Sequence, residues 1–284
     1  MWHWHLNDSA TQEELWQERC ENIANSVISQ GFASHRIDID IYWDTHEEAL
    51  IFAACHGGEV QAMDDTDWVA ATAPEKQPPL LIRQQIVISQ SEDAQLLEQL
   101  QSKYPKRLIL SFPAERAFGT GDHATTSTCL RLLCDFAKQQ KGKDWVLTDI
   151  GCGTGVLALA GVRLGAKHAL SFDFDPNAVE IAARNIARNG GADAIELFQA
   201  DVFEWSPQEH QRADLVLANL FSTVLQAAFP RIKNAMKPGG SLIISGILRE
   251  QADETIAAAE AQGLVLNKKI TRGKWSTALL HRPL

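Results

Sequence analysis

Polar and apolar residues follow two different rhythms along this chain, and the change comes near residue 124. At the start, Trp2-His3-Trp4-His5-Leu6 alternates with the period of two that marks a half-buried strand. Thr11 with Glu14 three residues on is a capping box, so a helix is expected from there to Gly31, a natural stop. Residues 36–42 alternate again, and the apolar run 49–55 reads as a further strand ended by His56-Gly57-Gly58. The order predicted is βαββ, a small α+β unit. Residues 64–79 are acidic and then Pro-rich, as expected of a boundary or linker. Short strands are expected at Ile86-Val87-Ile88 and Leu108-Ile109-Leu110, with a helix near 92–102 between them.

Beyond residue 124 helices and strands alternate. Helices are expected over 125–137, 156–164, 176–189, about 222–236 and 249–262; strands over 146–149, 169–173, 195–200, 214–218 and 241–245. Two strands close the pattern, 264–270 and 275–281, near enough to pair antiparallel at a sheet edge. This alternation predicts an α/β fold: a Rossmann-like, doubly wound, mostly parallel sheet of seven strands, beside a smaller N-terminal α+β domain. The expected divisions are a small acidic domain over 1–75, a linker with short strands over 76–112, and the main domain over 113–284.

Charge changes the picture in one place. The net charge of −10 is not spread evenly: residues 1–79 hold 15 acids against 3 bases, while residues 80–284 hold 21 acids against 23 bases. The excess negative charge therefore lies in the first quarter, which disfavours nucleic acid there and suits a basic protein partner, or serves only as a solvated face. No apolar run approaches the roughly 18 residues of a membrane span, and no basic-then-apolar leader opens the chain. The five cysteines form no CxxC pair and no metal-ligand spacing, so they read as reduced thiols of a cytoplasmic protein. His3 and His5 share a strand face, but no third ligand is apparent in the sequence, and no metal is expected.

The candidate chemistry sits at strand ends. Doubly wound sheets bind ligands beyond the carboxyl ends of their strands. The first such turn is Gly151-Cys152-Gly153-Thr154-Gly155, preceded by Asp149. It is GxGxG, whereas the dinucleotide fingerprint is GxGxxG, which speaks against a nicotinamide-dependent oxidoreductase. A carboxylate at Asp149 suits a cationic amino-acid moiety better than a pyrophosphate. Asp173 ends the next strand, where an acid accepts ribose hydroxyls. Asp201 follows the third strand, where it would read an adenine amino group or cap a helix. These three positions together point to a nucleoside carrying a sulfonium amino acid. Asn219 ends the fourth strand: its amide oxygen could aim an amine at a methyl carbon, or Asn219 could cap the following helix. The segment Phe118-Gly119-Thr120-Gly121-Asp122-His123 leads into the first helix of the alternating region; it could fold over a ligand, or be an ordinary helix entry capped by Thr125.

The runs AFGTGDHATTSTCL (117–130), DIGCGTGVLALA (149–160), SFDFDPNAVEIAARN (171–185), ANLF (218–221) and KPGGSLIISGIL (237–248) occur in that order. Over about residues 105–284 the chain resembles the bacterial ribosomal-protein methyltransferase family PrmA, whose members methylate amino groups of protein L-eleven of the large subunit. The resemblance implies a class I S-adenosylmethionine-dependent N-methyltransferase. It implies cofactor contacts at Thr126, Gly151, Asp173 and Asn219, with Thr120 and His123 in a loop near the methionine end. Asp122 and Ala124 stand where the family usually has Thr and Pro, and the family's Trp-rich segment before the linker is reduced to Asp67-Trp68. The expected cofactor set is thus Phe118, Gly119, Thr120, Thr126, Asp149, Gly151, Gly153, Gly155, Asp173, Asp201 and Asn219. Asn219 is the catalytic residue and His123 a conceivable proton acceptor. The expected partner is a basic protein, which the resemblance makes a ribosomal one, without direct nucleic-acid binding. A methyltransferase for another protein or a small molecule, and a non-catalytic protein that binds the cofactor, stand as alternatives.

Overall fold

The computed structural model describes residues 2–20, 23, 26–30, 36–43, 45–62, 79–113 and 123–284. The chain divides into two compact units, Met1–Ala73 and Pro74–Leu284.

In the first unit the strands are β1 (Trp2–Ser9), β2 (Ser26–Gln30), β3 (Arg36–Trp43) and β4 (Glu59–Ala62), with helices α1 (Glu13–Cys20) and α2 (His46–His56). The antiparallel sheet has the order β2-β3-β1-β4. This is βαββαβ, the split βαβ arrangement, where the sequence pattern predicts βαββ. Two expectations are corrected. The first helix does not run to Gly31: it ends at Cys20, whose carbonyl accepts from the Ile23 N–H at 2.9 Å, and residues 26–30 pair with β3 as a strand. Val27 and Ile28, β-branched and adjacent, favour that strand. The apolar run 49–55 is not a strand but the body of α2. Thr45 caps it by accepting from the Glu48 N–H, and its hydroxyl donates back to the Glu48 carboxylate at 2.6 Å. Ala49 is fully buried while Leu50 and Ile51 are exposed, a one-sided burial that suits a helix. The core holds Trp4, Trp16, Ile37, Ile39 and Ile41. Both buried indoles are satisfied: Trp4 Nε1 donates to the Gly57 carbonyl and Trp16 Nε1 to Asp8, each at 2.8 Å.

The second unit begins with a three-stranded sheet, β5 (Leu80–Ile82), β6 (Ile86–Ser89) and β7 (Leu108–Ser111), with α3 (Ala94–Lys103) between the last two. The sequence pattern predicts β6, β7 and α3 and misses β5. Ile82, Ile86, Ile88 and Leu110 share a core with α4 (Ala124–Gln139), so this small sheet is fastened to the helix that opens the alternating region. The main elements are β8 (Val146–Ile150), α5 (Val156–Arg163), β9 (His168–Asp173), α6 (Pro176–Asn189), β10 (Ile195–Gln199), β11 (Ala213–Asn219), α7 (Ser222–Asn234), β12 (Met236–Leu248), α8 (Ala252–Ala261), β13 (Val265–Arg272) and β14 (Trp275–His281).

The seven-stranded order is β10-β9-β8-β11-β12-β14-β13. The first five strands are parallel; β14 runs antiparallel between β12 and β13. Leu215, Val216, Leu217 and Ala218 on β11 are all fully buried, because helices cover both faces of a parallel sheet. Leu215 and Leu217 pack with α4 and α5 on one face; Val216 and Ala218 pack with Leu225, Phe229 and Ile232 of α7 on the other. Among the described residues no helix is long and apolar enough to cross a membrane. The cysteines are free thiols, four buried and Cys55 exposed.

Candidate functional site

The strand order reverses between β8 and β11, and their carboxyl ends open a cleft of about 1070 Å³. A doubly wound sheet leaves its ligand crevice at such a switch point. Gly151 and Gly153 line it from β8, Asp173 from β9, Asp201 from beyond β10, Asn219 from β11, and His123 and Thr125 from the start of α4. Most of the strand-end residues read from the sequence therefore converge on one space.

The glycines serve different ends. Gly151 has φ of +69°, a backbone conformation that favours glycine, and a Cβ there would lie 2.4 Å from Leu220 Cδ2 and push that side chain aside. Gly155, with φ of +77°, is the N-cap of α5; its Cβ would meet Ala182 of α6 at 3.1 Å. Gly155 is thus absent from the cleft lining and fits helix–helix packing.

Asp173 is buried at the rim of the loop. Its Oδ2 accepts from the Gly153 N–H at 2.9 Å and its Oδ1 from the Asp175 N–H at 3.1 Å. Each oxygen keeps a lone pair for a ligand hydroxyl. Asp175 caps α6 ahead of Pro176, which leaves Asp173 out of that role. Asp201 lines the cleft but also closes its own turn, its carboxylate accepting from the Phe203 N–H at 2.8 Å.

Asp149 lies beneath the loop, 1% exposed and outside the cleft lining. Its Oδ2 accepts from the Ala158 N–H at 3.1 Å, while its buried Oδ1 has no partner. Burial, with Asp173 nearby, pushes its carboxyl up to about 7 against the single opposing hydrogen bond. Burial likewise raises the thiols of Cys152 and Cys129, the latter to about 12, so neither supplies a thiolate.

Asn219 does not cap α7; the N-cap position is Phe221. Its Nδ2 donates to Thr125 Oγ1 at 3.3 Å and to Thr126 Oγ1 at 3.4 Å, and its buried Oδ1 has no hydrogen-bond partner. Thr126, 1% exposed, hydrogen-bonds Asn219 without lining the cleft, whereas Thr125 lines it. The cap of α4 is His123 where the sequence suggests Thr125: Nδ1 accepts from the Thr125 N–H at 3.4 Å and lies 2.7 Å from the Thr125 hydroxyl. The Trp275 ring meets His123 edge-on at 5.1 Å. Phe118, Gly119, Thr120 and Asp122 lie outside the described residues.

Sequence reasoning misses the aromatic lining. Phe174, Phe203 and Phe221 come one or two residues after Asp173, Asp201 and Asn219, and are 72%, 41% and 73% exposed. The available signal is an aromatic just past a buried strand end. Trp275 carries no such signal, because only the return of β14 beside β12 brings it to the cleft.

The cleft combines hydrogen-bond acceptors with flat apolar surface, a combination that fits a nucleoside. Hydroxyl acceptors stand at Asp173, flat apolar surface at Phe174 and Phe203, and an unpartnered amide oxygen at Asn219.

The chain matches the family model described as Ribosomal protein L11 methyltransferase (PrmA) over residues 4–283. It is 32% identical over 277 residues to a ribosomal protein L11 methyltransferase of Pelotomaculum thermopropionicum, covering 96% of this chain and 81% of that protein. It is 34% identical over 267 residues to one of Brucella suis, covering 93% and 90%. Among solved structures, a ribosomal protein L11 methylase from Lactobacillus delbrueckii subsp. bulgaricus superposes with a TM-score of 0.60 at 22% identity, over 72% of this chain and 99% of that one. That last likeness is one of fold.

Proposed function

The chain belongs to the ribosomal protein L11 methyltransferase (PrmA) family, and from that membership we propose that it methylates amines of a basic ribosomal protein, with Asn219 orienting the amine. The activity is S-adenosylmethionine-dependent methyl transfer. The cofactor supplies an electrophilic methyl group on a sulfonium. The residues of the cleft suit it: Asp173 would hold the ribose hydroxyls, Asp201 the adenine edge, and the turn at Gly151 and Gly153 the close backbone approach.

The observation that carries the reading is the orphaned Oδ1 of Asn219. A buried carbonyl oxygen without a partner is costly, and an incoming amine N–H would satisfy it. Its direction follows from hydrogen-bond logic. In the tautomer with the ring proton on Nε2, His123 Nδ1 carries the lone pair that faces the Thr125 N–H. The Thr125 hydroxyl then donates to Nδ1, leaving its oxygen to accept from Asn219. In that arrangement Asn219 presents its NH₂ to Thr125 and Thr126 and its oxygen elsewhere. His123 thereby acts as a positioning residue through Thr125, a role this hydrogen bonding favours over proton acceptance, because its lone-pair nitrogen is already engaged. A free lysine amine has a pKa near 10.4 and must shed a proton before attack; desolvation and the sulfonium charge both lower that pKa.

We assign substrate recognition to the acidic first unit, whose 14 acids against 2 bases over residues 1–73 complement a basic protein. The test compares intact masses of ribosomal proteins from cells with and without this chain. Loss of one or more methyl increments from a single basic protein names the target; identical spectra would sink the ribosomal reading. Asn219→Ala separates enzyme from binding protein: methyl transfer should fall while cofactor binding persists.

A further inference from the structure

The first unit carries a cluster that methyl transfer does not use. His3 and His5, two apart on β1, project from the sheet face opposite the Trp4 core. The strand register sets His5 directly across from Asp40 on β3 and from Glu59 on β4. Asp40 is the third group that spacing within β1 alone cannot reveal. Its Oδ1 lies 2.7 Å from His3 Nε2 and 2.9 Å from His5 Nδ1, and the three atoms all fall within 4.8 Å of one another.

We propose that His3, His5 and Asp40 bind a divalent transition-metal ion of the zinc class, pinning β1 to β3. Zinc takes imidazole nitrogen and carboxylate oxygen at about 2.0–2.2 Å, which sets tetrahedral ligand atoms about 3.3 Å apart. The two imidazole–carboxylate separations would open by about 0.5 Å and the two imidazole nitrogens, within 4.8 Å of each other, would settle at the same spacing, with the backbone held by the β1–β3 ladder. Two imidazoles and one carboxylate select zinc, cobalt, nickel or copper over magnesium and calcium, which take oxygen. The side chains are 22%, 39% and 21% exposed, so an ion has a path in and water can complete the coordination. Asp38 Oδ1 stands 3.9 Å from His5 Nε2, the side from which a carboxylate orients a ligating imidazole. Asp38, Asp40 and Glu59 together make the face attractive to a cation. The competing arrangement is two imidazole N–H groups sharing Asp40 with no ion.

The test uses the full chain after treatment with a chelator. Titration calorimetry with zinc alone should give one equivalent at micromolar affinity, and the melting temperature should rise with zinc. His5→Gln and Asp40→Asn should each weaken binding by at least about tenfold, while Cys55→Ser, at the exposed thiol, should leave it unchanged. Cobalt binding to the unmodified chain gives a readout that needs no variant. Its visible spectrum should depart from that of the hydrated ion without a thiolate charge-transfer band. No heat with zinc, binding that survives His5→Gln, or a cobalt spectrum carrying a thiolate band would each overturn the assignment.

Discussion

Asn219, Thr125 and His123 form a short relay whose parts can be separated. Removing the amide in Asn219→Ala should cost about 100-fold in kcat, the order expected when a reacting group loses its orientation, with little change in cofactor affinity. Thr125→Val keeps the volume of a fully buried side chain and deletes only the hydroxyl. With His123 no longer linked to Asn219, the amide is held by Thr126 alone, and kcat should fall about tenfold at an unchanged KM for the cofactor. Steady-state kinetics on both variants distinguish these outcomes from a general loss of fold. Asp149 makes a different prediction. Its folded pKa of about 7 exceeds its ordinary 3.8, so the folded chain holds a proton that the unfolded chain releases between those values. Its contribution to stability is full below 3.8 and is lost as pH rises through about 7. Melting curves of the wild type across that range should slope downward relative to Asp149→Asn. Strand-end residues such as Asp173 and Asn219 are legible in sequence because helix–strand alternation fixes where each strand stops. Their partners are not: Thr125 reaches Asn219 across 94 positions, and no local pattern encodes that pairing.

Two elements of the first unit show why short-range reading fails where it does. A run of apolar residues is compatible with a buried strand or with one helix face, and 49–55 is the latter. The deciding signal lies just before it, in the Thr45-x-x-Glu48 box. Thr45→Ala should lower stability by about 1 kcal/mol, measured by denaturant unfolding. β2 escapes notice for the opposite reason: a good helix start at Thr11 suggests a long helix, and nothing local at Cys20 announces the stop. The glycine turn is legible as a turn, but its division of labour is not. Gly155→Ala should destabilise the chain by about 1–2 kcal/mol through its left-handed backbone, aside from the pressure on Ala182. Gly151→Ala should act on cofactor binding as well, since the displaced Leu220 lines the cleft. Comparing cofactor titrations with melting temperatures for the two variants separates the roles.

At the scale of the whole molecule, charge and connectivity matter most. An acidic surface that recruits a basic protein works through long-range attraction, which salt screens beyond about 8–10 Å at physiological strength. The KM for the protein substrate should therefore climb several-fold as salt is raised, while that for the cofactor stays nearly flat. Connectivity has its own consequence. β14 is threaded between β12 and β13, and it carries Trp275 to the edge of the His123 ring. On a translating ribosome the glycine turn, Asp173 and Asn219 emerge well before that strand. Until β14 slots in, β13 has no strand to pair with among the described residues and the cleft lacks Trp275. A nascent chain thus holds a half-built cleft: its glycine turn, Asp173 and Asn219 are made before the strand that brings Trp275 to them.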